Sequence, residues 1–264
     1  MKKRDSTDAG QLNHKPGPVR EGYRLSGLLL LGLLLGLLHS PLVAAVEQCA
    51  AGPGAATREV VARYGKSIHF DVYRNDKPVG RHDANFSEEN GFLVIRSTLD
   101  LGIKLLFIEA YHYRYEATEY WCDNALVRLE AKVNDDGKLS RVTARSEAGQ
   151  LKLTAAEGGS GSAPLGSFAT NHWHPGVLQT AAVINTLTGH LNKVTLVPCK
   201  APAPDGSPAA QCMDYTGDLK ARVWYDDAGR WRGHGGLAFA GTDGSAIDYR
   251  LQPAVPAQAA RTDP

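Results

Sequence analysis

Apolar and polar residues alternate along most of this chain with the period of two that places successive side chains on opposite faces of a strand. Ile68-His69-Phe70-Asp71-Val72-Tyr73 is the first clear case; Asn75-Asp76-Lys77-Pro78 then turns the chain, and Val79 to Phe86 returns as the second arm of a hairpin. Further β-rich runs follow at Phe92 to Leu99, Leu105 to Tyr120, Leu126 to Val133, Leu139 to Ser146 and Gln150 to Ala155. The turn Asn134-Asp135-Asp136-Gly137 makes a hairpin of the third and fourth of these. Within the second, Tyr111, Tyr113 and Tyr115 fall on one face.

Gly158-Gly159-Ser160-Gly161-Ser162 interrupts the pattern as a flexible loop, and a different period follows it. Pro175 suits a first helical position, Val177, Ala181, Ile184 and Leu187 share a helical face, and Gly189 can end the element. The pattern therefore predicts an amphipathic helix over 175–188. Strands resume at Lys193 to Val197, Asp214 to Thr216, Leu219 to Tyr225, Trp231 to Ala240 and Ala246 to Leu251, with Asp226-Asp227-Ala228-Gly229 as a turn. Parallel pairing would need helical crossovers, which this order of elements does not supply. The expected fold is mainly β: an antiparallel curved sheet, barrel or half-barrel of about ten to twelve strands, with one covering helix.

The ends of the chain read differently. Lys2, Lys3, Arg4, Lys15, Arg20 and Arg24 precede an uncharged run from Leu25 to Leu38 holding ten leucines. Such a run matches a signal-peptide core of about 7–15 residues better than a span of roughly 20. Pro41 breaks it, and Val43-Ala44-Ala45 offers a cleavage site. Residues 1–45 are thus expected to be an export leader, the alternative being an uncleaved inner-membrane anchor. Val46-Glu47-Gln48 lacks the small residues that a lipoprotein signal places before its cysteine, here Cys49. Residues 46–67 read as a linker, 68–252 as the β domain, and 253–264, with alternating Pro and Ala, as a disordered tail.

Composition adds what the chain is not. With 43% hydrophobic and 22% charged residues it can bury a core. The formal charge is +1, and removing residues 1–45 leaves 23 basic and 25 acidic side chains, a net −2. No broad cationic surface is available for nucleic acid. All four cysteines lie beyond the leader, and an oxidising compartment permits two disulfides. Cys199 and Cys212 bracket a Pro- and Gly-rich loop that a disulfide would clip with little strain, leaving Cys49–Cys122 by elimination. No Cys-x-x-Cys spacing supports a zinc site among them.

Two kinds of chemistry are candidates. In His172-Trp173-His174, residues two apart face the same way on an extended segment, so both imidazoles could hold a zinc or copper ion. A third ligand would have to come from His69, His82, His112, His190, His234 or a carboxylate. The competing reading makes His174 a helix N-cap before Pro175 and His172 a partly buried polar residue. Asp226 and Asp227 form a carboxylate pair, but Asp at the start of a tight turn more often caps backbone N–H groups. The second candidate is a ligand surface of aromatic side chains: Tyr111, Tyr113, Tyr115 and Trp121, together with Trp173 and Trp224. The same stripe also serves as core packing. Gly-x-Ser-x-Gly, phosphate-loop and dinucleotide signatures are absent from the sequence.

Several segments resemble the bacterial domain-of-unknown-function family numbered 6134. They are Asn171-His172-Trp173-His174-Pro175-Gly176-Val177-Leu178, Ile184-Asn185-Thr186-Leu187-Thr188-Gly189, Gly217-Asp218-Leu219 and Val223-Trp224-Tyr225-Asp226-Asp227-Ala228-Gly229-Arg230-Trp231. Val79-Gly80-Arg81-His82 and Glu119-Tyr120-Trp121 also match, so the resemblance spans Ile68 to Leu251. It implies an exported β-rich protein, and by wider similarity to envelope carriers an apolar cavity.

The expectation is an exported, periplasmic, non-catalytic binding or carrier module. It would hold an apolar or amphipathic small molecule or lipid on the concave face of the sheet, with no cofactor and no nucleic acid. Membrane contact would come only through an uncleaved leader. The alternative is a metal-binding protein or metal-dependent hydrolase centred on His172 and His174.

Overall fold

The computed structural model describes residues 48–105, 108–237 and 247–253. The leader, the tail from residue 254 onward, and the expected strand positions 106–107, 238–240 and 246 lie outside the described residues.

One fifteen-stranded sheet forms the body of the protein. Its first half comprises β1 (Ser67–Arg74), β2 (Lys77–Glu89), β3 (Phe92–Leu105), β4 (Ile108–Cys122), β5 (Ala125–Asp135), β6 (Lys138–Glu147), β7 (Gln150–Thr154) and β8 (Ser160–Pro164). The second half comprises β9 (Phe168–Ala169), β10 (Ala182–Ile184), β11 (Leu191–Pro198), β12 (Gln211–Gly217), β13 (Ala221–Tyr225), β14 (Trp231–Leu237) and β15 (Ile247–Leu251). Apart from β8 and β9, each strand neighbours the next in sequence, and β15 pairs with β1, as in Val72 opposite Tyr249. The two edges, β8 and β9, are therefore consecutive in the chain. Near this seam Ala156 N–H donates to the Thr188 carbonyl at 3.0 Å, so the curved sheet is open by one strand pairing only in part. Pairing is antiparallel throughout apart from the short β9–β10 contact.

Local chemistry explains the meander. Five hairpin turns place two consecutive residues at positive φ, the signature of the I′ turn whose twist matches that of the strands. They are Asn75-Asp76, Asn90-Gly91, Asp123-Asn124, Asp136-Gly137 and Ala148-Gly149. Gly91 has a second reason to lack a side chain: a Cβ there would meet the Cys49 carbonyl oxygen at 2.1 Å. On β4 the alternation is complete, with Tyr111, Tyr113, Tyr115, Ala117, Glu119 and Trp121 all buried on the inner face.

The strand count exceeds the ten to twelve read from sequence, because short arms such as β8 and β9 carry little pattern. The expected helix over 175–188 is not present. Pro175–Gln179 forms one 3₁₀ turn, and Val183-Ile184 then enters the sheet as β10, opposite Asn192 and Leu191. Thr180, Val183, Ile184, Thr186 and Thr188 are β-branched, and stiff χ1 rotamers favour a strand over a helix. The α-helix among the described residues, α1 (Ala55–Ala62), lies instead in the expected linker.

Helix α1 lies across one end of the sheet. Asn124, in the β4–β5 turn, accepts from Thr57 N–H at 3.0 Å and so satisfies a helix N-terminal donor from outside. Arg63, just past the helix, donates to the Ala228 carbonyl in the β13–β14 turn at 2.7 Å. The Cys49–Cys122 disulfide fastens the preceding segment to the same end, and Cys199–Cys212 clips the loop between β11 and β12. Both disulfides fit the pairing read from sequence and an oxidising compartment.

Candidate functional site

Thr170 to His174 cross the interior between β9 and the 3₁₀ turn without belonging to a strand, so this segment needs hydrogen bonds from elsewhere. Tyrosines supply them. Tyr225 Oη donates to the His172 carbonyl at 2.7 Å, and Tyr64 Oη donates to the Trp173 carbonyl at 2.8 Å while accepting from Trp231 N–H. The segment divides the inner face into two polar neighbourhoods.

Toward the α1 end lies Glu119, 1% exposed. Its Oε2 accepts from the indole N–H of Trp121 at 2.8 Å and of Trp173 at 3.2 Å, and its Oε1 from the Asn171 amide at 2.6 Å. Asn171 in turn accepts from the Tyr115 hydroxyl at 3.0 Å. Burial pushes the Glu119 carboxyl above its usual range, and the three donors pull it back. The two indole rings meet edge to face, 5.1 Å between centroids. Each polar side-chain atom of Glu119 has a hydrogen-bond partner here, and Tyr115 and Asn171 carry the cluster to the edge of the neighbouring space.

On the other side of the segment is a cavity of about 490 Å³. It is lined by His82, Leu99, Tyr113, Tyr115, Thr170, Asn171, His172, Asn185, Thr186, Leu187, Leu219, Lys220, Trp231, His234 and Tyr249. Among these described residues Lys220 alone carries a full charge, and it is exposed. Three imidazoles form one wall. The rings of His172 and His234 pack edge to face with centroids 4.6 Å apart, and His82 stacks on Tyr249 at 5.3 Å and meets Trp231 at 5.7 Å. His82 Nδ1, His172 Nε2 and His234 Nε2 are buried without a hydrogen-bond partner.

Burial governs their protonation. Desolvation lowers His82 to about 4, partly countered by Asp83, and lowers His172 to about 3, reinforced by His82. His234 falls well below its ordinary value for the same reason, with His172 and His82 adding to the effect. At neutral pH the wall is therefore three uncharged imidazoles, each able to donate through one nitrogen and accept through the other. Burial likewise raises the phenols of Tyr113, Tyr115 and Tyr249, which stay neutral.

The residues singled out from sequence separate into distinct places. Tyr113 and Tyr115 line the cavity. Tyr111, on the same inner row, donates its hydroxyl to Asp135 at 2.7 Å. Trp121 and Trp173 belong to the Glu119 neighbourhood and do not line the cavity. Trp224 lies on the other face of the sheet, packed with Ala203 and Cys212 under the 199–212 loop and bonded to the Ala201 carbonyl. His172 and His174 do not converge. His172 is in the cavity wall, whereas the ring of His174 stacks on Trp121 at 5.5 Å and its Nδ1 caps the 3₁₀ turn, accepting from Gly176 N–H at 3.0 Å. The segment bends between them, so two-residue spacing loses its meaning. Among the described residues no group of three or more His, Cys, Asp and Glu side chains is arranged to hold a metal ion. Asp226 is occupied by its turn, accepting from Ala228 N–H, Arg230 N–H and the Arg230 guanidinium.

A larger depression of about 1000 Å³ lies outside, between the 3₁₀ turn, the 199–212 clip and the β13–β14 turn. It is open to solvent and bordered by residues already engaged in turns, so the inner cavity is the better candidate site.

Fold and site together define a class: a single curved β-sheet enclosing a neutral cavity of imidazoles and aromatic rings. Residues 70–252 match the family described as a domain of unknown function, DUF6134, and the chain belongs to that family. No curated protein matches the chain. Among solved structures, it is similar to a β-barrel-like protein of the domain of unknown function DUF1849 from Brucella abortus. The two are 11% identical over 70% of this chain and 94% of that one, with a TM-score of 0.48.

Proposed function

We propose that this protein is an exported, periplasmic binding or carrier module that holds an apolar or amphipathic small molecule inside its curved sheet and performs no catalysis on it. The cavity carries the reading. Its volume of about 490 Å³ falls in the usual range for small-molecule sites, roughly 300–1,000 Å³, and its walls are mostly rings and leucines with a few polar groups. Two disulfides and the leader-like residues 1–45 support export. The 170–174 segment closes the floor, so a guest would enter past Leu187, Leu219 and Lys220.

Native mass spectrometry of protein extracted from its own cell envelope tests this reading. The expected result is a non-covalent organic adduct that is lost on Leu219→Trp, a substitution that fills the entrance. Adduct-free protein that takes up neither a ring compound nor an acyl compound would overturn the reading. A stoichiometric metal that disappears on His172→Ala would replace it with the metal-binding alternative.

A further inference from the structure

Resting on the carrier reading, the chemistry of the cavity wall narrows the guest. We propose that it is an uncharged ring compound bearing oxygen substituents, of phenol or quinone type, recognised at its edge by His82, His172 and His234 and at its faces by the surrounding aromatic rings. Buried polar atoms in folded proteins nearly always have a partner, and an orphan calls for an explanation such as a bound molecule. Three orphaned nitrogens on one cavity wall, on β2, the 170–174 segment and β14, ask for the same explanation together.

The kind of partner follows from the groups. The Tyr215 hydroxyl lies 3.5 Å from His172 Nδ1. When it donates there, the imidazole proton sits on Nε2 and faces its surroundings as a donor. A ligand oxygen is the natural acceptor. The orphaned nitrogen of uncharged His82, and that of His234, donates in one tautomer and accepts in the other, which suits a carbonyl or a hydroxyl equally. A saturated acyl chain would leave these nitrogens against CH₂ groups, still without a partner. An anionic head inside the cavity would lack a counter-charge, because Lys220 is at the exposed entrance. Tyr113, Tyr115 and Trp231 meanwhile present the flat surfaces on which a conjugated ring packs best.

Isothermal titration of the purified protein with tetramethyl-p-benzoquinone, its hydroquinone and dodecanoate tests the assignment, the first two separating carbonyl from hydroxyl recognition. At least one ring probe is expected to bind roughly tenfold or more tightly than dodecanoate, and His82→Leu and His234→Leu are each expected to weaken it about tenfold. Dodecanoate binding more tightly than both ring probes, or ring binding unchanged in both variants, would overturn the assignment and leave the carrier reading standing. If none of the three binds, the assignment falls, and the carrier reading falls with it when the envelope-extracted protein also carries no organic adduct. The wild-type preference decides the matter alone should either variant not fold.

Discussion

Glu119 and His234 are both polar, both sealed inside the same sheet, and the protein treats them in opposite ways. Glu119 has a partner for each oxygen, two of them indoles that offer nothing but a single N–H. His234 is surrounded by rings, among them His172, Trp231 and Tyr249, and its Nε2 has no partner. A buried polar group that is fully bonded specifies how the chain packs, whereas one left unbonded beside a cavity costs stability that a guest can restore. On the proposed reading, the α1 end of the interior is structural and the other end is where the guest is held.

Removing the carboxylate should break the first neighbourhood most severely. Glu119→Leu strands two indole N–H groups and an amide in an apolar setting, and is expected to cost about 3–5 kcal/mol in urea unfolding. A loss below about 1 kcal/mol would mean that the bonded cluster does not organise the interior.

Acid should act mainly on the other side. His82 lies at about 4 in the fold against an ordinary 6.5, so the unfolded chain takes up the proton first. The stability it contributes is complete above about pH 6.5 and is lost as the pH falls toward about 4, at up to about 1.4 kcal/mol per pH unit. His172 and His234 act in the same direction. Glu119, raised by burial, acts oppositely, since the fold takes up its proton more readily than the unfolded chain does. Glu89, held near about 2 by Arg96, loses its contribution mostly below this window. Denaturant titrations across that range should show a falling stability whose slope flattens in His82→Leu; an unchanged slope would show that these rings are not buried as described.

A finer probe of the bonded side is Trp173→Phe. It keeps a ring against Trp121 and removes the weaker of the two indole bonds to Glu119, with an expected cost of about 1–2 kcal/mol. A cost as large as that of Glu119→Leu would make packing, not the hydrogen bond, the main term.

Much of this arrangement is legible in the chain, and the illegible parts have physical causes. Strict alternation marks β1, β2 and β4, and the Asn, Asp and Gly pairs at positive φ announce the hairpins. The aromatic row on β4 was evident from Tyr111, Tyr113 and Tyr115. Glu119 occupies the same row, and its parity was a signal that a charge faces inward, masked by the expectation that carboxylates face water. His82 shares an inward row with Ala84 and Phe86 in the same way. His82 and His234 stand among five histidines offered as a third ligand beside His172, and nothing in the sequence separates them from His69, His112 and His190. No parity rule could place His234 beside Trp231, because β14 carries register shifts against both neighbours and residues three apart then face the same side. The 175–188 segment misled for another reason: a helical spacing of apolar residues coincided with β-branched ones that a strand accommodates better, and pairing with β11 decided the outcome.

The most direct measurement is the thermal and urea stability of ligand-free His234→Leu beside the wild type. If the imidazole is held unbonded for a guest, an apolar side chain of similar size removes a stranded nitrogen, and the variant should be as stable as the wild type or more stable by about 1 kcal/mol. A loss of about 2 kcal/mol or more would show that His234 is already satisfied by its neighbours, contradicting the reading of this wall as a site kept for a guest.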